Sequence, residues 1–501
     1  MPAPRRALLG LLCLLATPAL VGAPAAPPAG AAEQDAAAKE AAQLEAAARY
    51  FAGREKGIAD PAADLLWRAA KAAFDEGFHE QGLELAAEVL EWDPEHRAAR
   101  EHLGFVRRKG AWVEDPGRTA EVARENTRKP AETDDEWRER YAGWARRYRD
   151  AARSGIAERW LKLADDCRRK GHGEQVERAL LRVRVQEPES AEAAAALGLV
   201  TLDGVWVPER HAEAFRAVRA CEPGARVEGW AKDLGVTLAS VQSAHVRVLE
   251  TAPVEDLEHC ARVAEAARIL TLEIIGRAPS DDVFGGRRFH VLWVDADVWP
   301  AWAAARASES LSKDEILGRA SYSHYRWPWV SYKRRAGTAP RASADRAAHS
   351  TAHAVLRKAF ETERADWVDE AIAFDVARTV VPRANARCAP KPSRRYAGQS
   401  LRTRFADAEL WPSLVRETVA AGDDIPLRTI LPRAVTEFDL EDSAKAWSVL
   451  TWLRRRDPAA LAAYIADAAV DADHPALLEL RFGLTPEQID EAWRAWVLRA
   501  Y

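Results

Sequence analysis

The chain has 501 residues, with 72 Lys and Arg against 77 Asp and Glu, a formal net charge of −5, and the two signs interspersed along its length. That balance excludes the one-sided basic face that nucleic acid or an anionic membrane surface requires. The length allows two or three domains of ordinary size.

The opening "MPAPRRALLGLLCLLATPALVGAPAAPPAGAAEQ" places Arg5 and Arg6 before an apolar run from Ala7 to about Val21, then small residues. This pattern predicts a secretory signal peptide cleaved between Ala23 and Ala32, with 1–32 as leader and small-residue linker and an exported, periplasmic or extracellular product. Leu11 and Leu12 precede Cys13 where a lipoprotein would carry small residues. No later segment is apolar for long enough to span a bilayer. Cys167, Cys221, Cys260 and Cys388 are widely spaced, without a CxxC pair. Their pairing stays open between a disulfide and isolated thiols.

Residues 33–222 contain an internal duplication at a constant offset of 94. "DPEHRAAREHLGFVRRKGAWV" from Asp93 aligns with "EPESAEAAAALGLVTLDGVWV" from Glu187, setting Pro94 over Pro188, Gly104 over Gly198, Gly110 over Gly204 and Trp112 over Trp206. An unbroken offset marks a true repeat. Within each copy, apolar residues such as Ala69, Ala73, Leu83, Ala86 and Leu90 recur at helical spacing around a turn at Gly77 or Gly171. The "DPE" or "EPE" is expected to cap the next helix, with its proline in the first turn. The unit resembles a tetratricopeptide-like helical pair with a "GxWV" appendage, and such stacks offer grooves to protein or peptide partners.

From 223 the texture changes. "VQSAHVRVLETA" from Val241 reads as one strand, "VEDLEHCARVAEAARILTLEIIG" from Val254 as an amphipathic helix ending at Gly276, and "RRFHVLWVDA" from Arg287 as a buried strand. "WPWVSYKRR" from Trp327 reads as an edge strand. The histidine segment follows, and 405–501 is helical. The expected fold class is therefore α+β and predominantly helical: repeats (33–222), an α+β lobe with a small mixed sheet and metal helices (223–404), and a helical C-terminal lobe (405–501).

Within "ADRAAHSTAHAVLRKAF", His349 and His353 stand four apart, so a helix presents both imidazoles on one face. Ala348, Ala352, Val355, Leu356 and Phe360 make the adjoining side apolar. Seventeen residues after His353, Glu370 lies in "WVDEAIAFDVA", a second helical pattern. Two imidazoles and one carboxylate form a three-ligand site suited to zinc. Asp345, one turn before His349, is a candidate supporting group or extra ligand, while Asp369 should point away from Glu370. "RTVVPRANARCAPKPSRR" from Arg378 reads as a loop bordering or covering the cleft.

"HSTAHAVL" followed by "WVDEAIAFDVA" resembles the gluzincin metallopeptidases, the thermolysin-like group with HExxH and a glutamate on the next helix. The likeness spans roughly the second half, including "IPLRTILP" from Ile425 and "FGLTPEQIDEAWRAWV" from Phe482. It implies His349, His353 and Glu370 as zinc ligands. The general-base position of that family is Ser350 here, and Ala371 replaces the glycine after the ligand glutamate. A serine hydroxyl has no useful pKa for deprotonating water, so the resemblance implies the fold without the usual peptidase activity, and nothing then requires that zinc be retained. The expectation is an exported peptide- or protein-binding or scaffold protein. The alternative is an active zinc-dependent peptidase with a non-standard base. A third reading leaves function to the repeats and makes the second half inert packing.

Overall fold

The computed structural model describes residues 29–501 except 124–125, 225–231, 233–234, 236, 251–253, 307–320, 325–328, 335–339, 362–365, 382–383, 385, 387, 389–390, 392 and 395–410. Of the leader and linker read at 1–32, residues 1–28 lie outside the described residues, as does the boundary read at 404–405. Residues 1–46 form one unit, and Ala47–Tyr501 forms another. The protein is predominantly helical with a small mixed sheet, an α+β architecture. Among the described residues, no helix is long and apolar enough to cross a membrane, and Cys167, Cys221, Cys260 and Cys388 are all free thiols.

The first half comprises α1 (Ala29–Asp75), α2 (His79–Trp92), α3 (Arg97–His102), the hairpin β1 (Phe105–Arg108) and β2 (Ala111–Glu114), α4 (Pro116–Val122), α5 (Asp134–Trp144), α6 (Ala151–Arg169), α7 (Gly173–Gln186), α8 (Ala191–Ala196), the hairpin β3 (Leu199–Leu202) and β4 (Val205–Pro208), and α9 (Ala212–Val218). A single π turn, Ala145–Asp150, joins α5 to α6. Phe51, Leu66, Leu83, Leu90, Trp160 and Val183 share one apolar core. His79 and Gly173 each open a 14-residue helix, and Phe105 and Leu199 each open a hairpin, 94 positions apart. Both hairpins close through two residues at positive φ, Lys109–Gly110 and Asp203–Gly204. That geometry matches the right-handed twist of the strands and favours glycine at the second position.

The "DPE" segment behaves differently from the sequence expectation. Asp93 accepts the Glu95 N–H at 3.0 Å and folds Pro94 into a turn, so α3 starts at Arg97, with His96 as its cap. In the second copy Ser190 caps α8. The two hairpins also differ in surroundings: β2 is half exposed, whereas every residue of β4 is buried and Trp206 is 2% exposed.

The second half is built on a six-stranded sheet in the order β5-β6-β7-β8-β10-β9. Its strands are β5 (Glu222–Pro223), β6 (Ala239–Gln242), β7 (Val246–Glu250), β8 (Phe289–Asp295), β9 (Ser321–His324) and β10 (Trp329–Arg334). β7, β8 and β10 run parallel to one another, with the 21-residue α10 (Val254–Ile274) as the crossover between β7 and β8. α11 (Trp299–Arg306) follows β8.

Two expectations are corrected here. "VQSAHVRVLETA" is not one strand but the end of β6, a turn and β7. The turn forms because the buried Glu265 carboxylate accepts from Ser243 Oγ at 2.7 Å and from the His245 N–H at 2.6 Å, which reverses the chain. β10 is not an edge strand, since β9 pairs antiparallel along its outer side.

The chain continues as α12 (Pro340–Phe360), α13 (Asp366–Val380), α14 (Trp411–Ala421), α15 (Leu427–Ile430), α16 (Leu440–Arg456), α17 (Pro458–Asp467), α18 (His474–Phe482) and α19 (Pro486–Ala500). The C-terminal helices carry strong start signals. Asp439 and Thr485 close capping boxes, and proline follows the caps Asp457 and Thr485 in the first turn, where a missing N–H costs nothing. α12 lies between α10 and α13, and α13 packs on α16, so the sheet, α12, α13 and the C-terminal helices share one core. β4 packs against α10 and α13 as well, and the Arg184 guanidinium lies over Trp206 at 4.9 Å and donates to the Thr379 carbonyl. The second hairpin thus props the helix that carries Glu370.

On β8, His290 stands across from Arg247 and near Arg288; burial first, then these two cations, lower its pKa to about 4. Because the folded value lies below the unfolded value of ~6.5, the unfolded state binds the extra proton. The stabilisation is fully present above about pH 6.5 and is lost as pH falls toward 4. Replacing His290→Gln should flatten the acid limb of a stability–pH profile over that window by on the order of 1–2 kcal/mol, discounted because the ring is only half-buried; urea titrations at pH 7 and pH 4 would measure it.

Candidate metal centre

α12 is apolar on the side facing α10 and α13: Ala344, Ala347, Ala348, Ala352, Val355 and Leu356 are fully buried. His349 and His353 follow one turn apart beside this stripe. The His349 ring stands edge-on to Phe374 of α13 at 5.1 Å, and Phe374 in turn packs on Trp411 at 4.3 Å. α13 is held by its own polar ties. Asp375 accepts from Trp447 Nε1 at 3.2 Å and pairs with Arg454, and Asp366 accepts the Val435 N–H at 2.7 Å. These contacts fix the register of Glu370 against the two histidines.

The three side chains converge. His349 Nε2 and His353 Nε2 lie 3.3 Å apart, and Glu370 Oε2 lies 3.5 Å from the first and 3.2 Å from the second. Glu370 is 0% exposed and His349 is 3% exposed. Among the described residues no lysine or arginine pairs with the Glu370 carboxylate. Burial alone would push its pKa up, but the charge and hydrogen bonding of His349, then His353, hold it well below the usual carboxylate range. Burial lowers the His353 pKa, against the opposing pull of Glu370. Nδ1 of both rings is buried and has no hydrogen-bond partner among the described residues.

A fourth group joins these three. Cys388, in the segment after α13, places Sγ 3.5 Å from His349 Nε2 and 3.6 Å from His353 Nε2. Its N–H donates to Glu370 Oε1 at 2.7 Å. The ligand atoms of His349, His353, Glu370 and Cys388 all lie within 4.8 Å of one another, an arrangement that can hold a metal ion. Cys388 is exposed as a residue, but its thiol faces the buried His349 and Glu370; desolvation, then the Glu370 charge, pushes its pKa well above the ordinary thiol value.

Asp345 does not reach this cluster; its carboxylate accepts the Ala386 N–H and so anchors the segment that delivers Cys388. Asp369, half-buried, also stays outside it. Ser350 faces β10, where its Oγ shares a hydrogen bond with the Tyr332 hydroxyl. Burial raises the Tyr332 pKa, so this pair offers no carboxylate-like base beside the histidines. No family model, curated protein or solved structure matches the chain.

Sequence reasoning located three of the four convergent groups and missed Cys388. The available signal was positional: a cysteine in the loop directly after the Glu370 helix, where the chain must double back past the cleft. A divalent ion binding here stabilises the folded state by mass action, about 2.7 kcal/mol at one hundred times its Kd. Thermal denaturation of apo protein with added Zn²⁺ should show that rise, and Glu370→Gln should lose most of it.

Proposed function

We propose that the protein is an exported, gluzincin-like protein that holds zinc through His349, His353 and Glu370, has lost peptidase activity, and serves as a peptide- or protein-binding scaffold. One observation carries the reading. Beside the convergent histidines and glutamate, the general-base position is occupied by Ser350, whose hydroxyl is engaged by Tyr332. Zinc peptidases need a carboxylate there to take the proton from water and deliver it to the leaving amine. Bound zinc would supply Lewis acidity; Ser350 supplies no base to exploit it.

Zinc is the metal best suited to a mixed set of imidazole, carboxylate and thiol donors in a compact buried site. Scaffolding is supported by the first half, where tetratricopeptide-like helical pairs recur at a fixed offset. A groove of about 850 Å³ runs between them, lined by Glu84, Trp144, Arg149, Arg153 and Ser190. Its largely charged and polar lining suits an extended polar peptide better than an apolar helix.

Elemental analysis of protein purified without chelator, paired with a peptidase assay on unstructured casein, tests the proposal. Stoichiometric zinc with no cleavage is expected. Chelator-sensitive cleavage by the wild type would overturn it in favour of a peptidase with a non-standard base.

A further inference from the structure

Resting on the zinc reading above, we infer that Cys388 is a fourth protein ligand, so that the metal is enclosed by two imidazoles, a carboxylate and a thiolate and keeps no open position. Zinc binds imidazole nitrogen at about 2.05 Å and thiolate sulfur at about 2.3 Å. A tetrahedron with those arms has nitrogen–nitrogen edges of about 3.35 Å and nitrogen–sulfur edges of about 3.55 Å. The nitrogen–nitrogen separation is 3.3 Å, and the two nitrogen–sulfur separations are 3.5 and 3.6 Å. The carboxylate oxygen lies 3.2 and 3.5 Å from the imidazoles and within 4.8 Å of the sulfur.

The thiol is also built into place. Two buried carboxylates grip the backbone on which it sits: Glu370 Oε1 takes the Cys388 N–H, and Asp345 takes the Ala386 N–H. Further along, Ser393 Oγ donates to Glu441 Oε1, which fastens the same segment to α16. Glu370 thus uses one oxygen toward the histidines and the other to position the cysteine. On coordination the Cys388 S–H bond breaks, a sulfur–metal bond forms and the proton leaves to solvent, with no change of oxidation state. Structural zinc sites have four protein ligands, and hydrolytic ones keep a position for water. The closed set therefore makes this centre a clasp that ties the segment after α13 to α12 and α13, and Cys388 is a second barrier to hydrolysis, independent of Ser350.

Cobalt(II) titrated into the full-length apo chain reads this directly. The wild type should show a near-ultraviolet thiolate-to-cobalt charge-transfer band together with intense visible bands of a tetrahedral ion. Cys388→Ala should lose the charge-transfer band. It should also bind cobalt more weakly, by at least the roughly 10-fold that losing even a hydrogen-bond partner of a ligand costs. Thiol titration should gain one reactive group on chelation of the wild type and none in the variant. Cobalt bound by the wild type without a charge-transfer band, or with equal affinity in Cys388→Ala, would overturn the fourth ligand and leave a three-ligand zinc site standing. No cobalt binding by the wild type would overturn both readings. If the variant fails to fold, judged by its circular dichroism, the wild-type spectrum and thiol count decide alone.

Discussion

The second half of this protein is organised around a buried anion. Glu370 lies in the middle of a helix with no solvent exposure and no lysine or arginine pairing with it among the described residues. An unpaired carboxylate in such a place carries a desolvation penalty of several kcal/mol. Two imidazoles, one peptide N–H and one thiol surround it. Protonated histidines would compensate the charge only partly, because burial works against His353 carrying it. A divalent cation compensates all of it and makes neutral imidazoles assets.

Much of the surrounding architecture serves to hold that arrangement. α12 is wedged between α10 and α13. α13 is pinned from the C-terminal lobe through Asp375 with Trp447 and Arg454, and from the first half through the buried β4 hairpin and Arg184. The asymmetry between the hairpins has a physical sense here. Both have the same turn chemistry, but Val205 and Val207 of the second lie in the second-half core and Trp206 is buried under Arg184, whereas Trp112 belongs to the rim of the first core. The second copy thus braces α13, the helix that carries Glu370.

The parts of the site legible in the sequence were those encoded locally. A spacing of four places His349 and His353 on one helical face whatever the tertiary structure, and the apolar residues around them, Ala348, Ala352, Val355 and Leu356, say which side is covered. Glu370 was legible because it interrupts an otherwise apolar helical pattern on the next segment. The glycines at the interhelical turns, Gly77 and Gly171, were legible because positive φ restricts residue choice, whereas the hairpins were read only as an extended appendage. Cys388 was not, since its segment has no periodicity and its position is set by two carboxylate–backbone bonds that only the fold creates. The division of "VQSAHVRVLETA" into two strands was hidden for the same reason: Glu265, on the following helix, makes the turn. The inner position of β10 depends on pairing with β9, a short strand with little pattern of its own.

The central claim, that His349, His353, Glu370 and Cys388 close around one ion, is tested most directly by X-ray absorption at the zinc edge on protein purified without chelators. The expected first shell holds two imidazole nitrogens and one oxygen near about 2.0–2.1 Å and a single sulfur near about 2.3 Å. A shell that lacks the sulfur or the imidazoles, or a protein that arrives without zinc and takes up none, would contradict it.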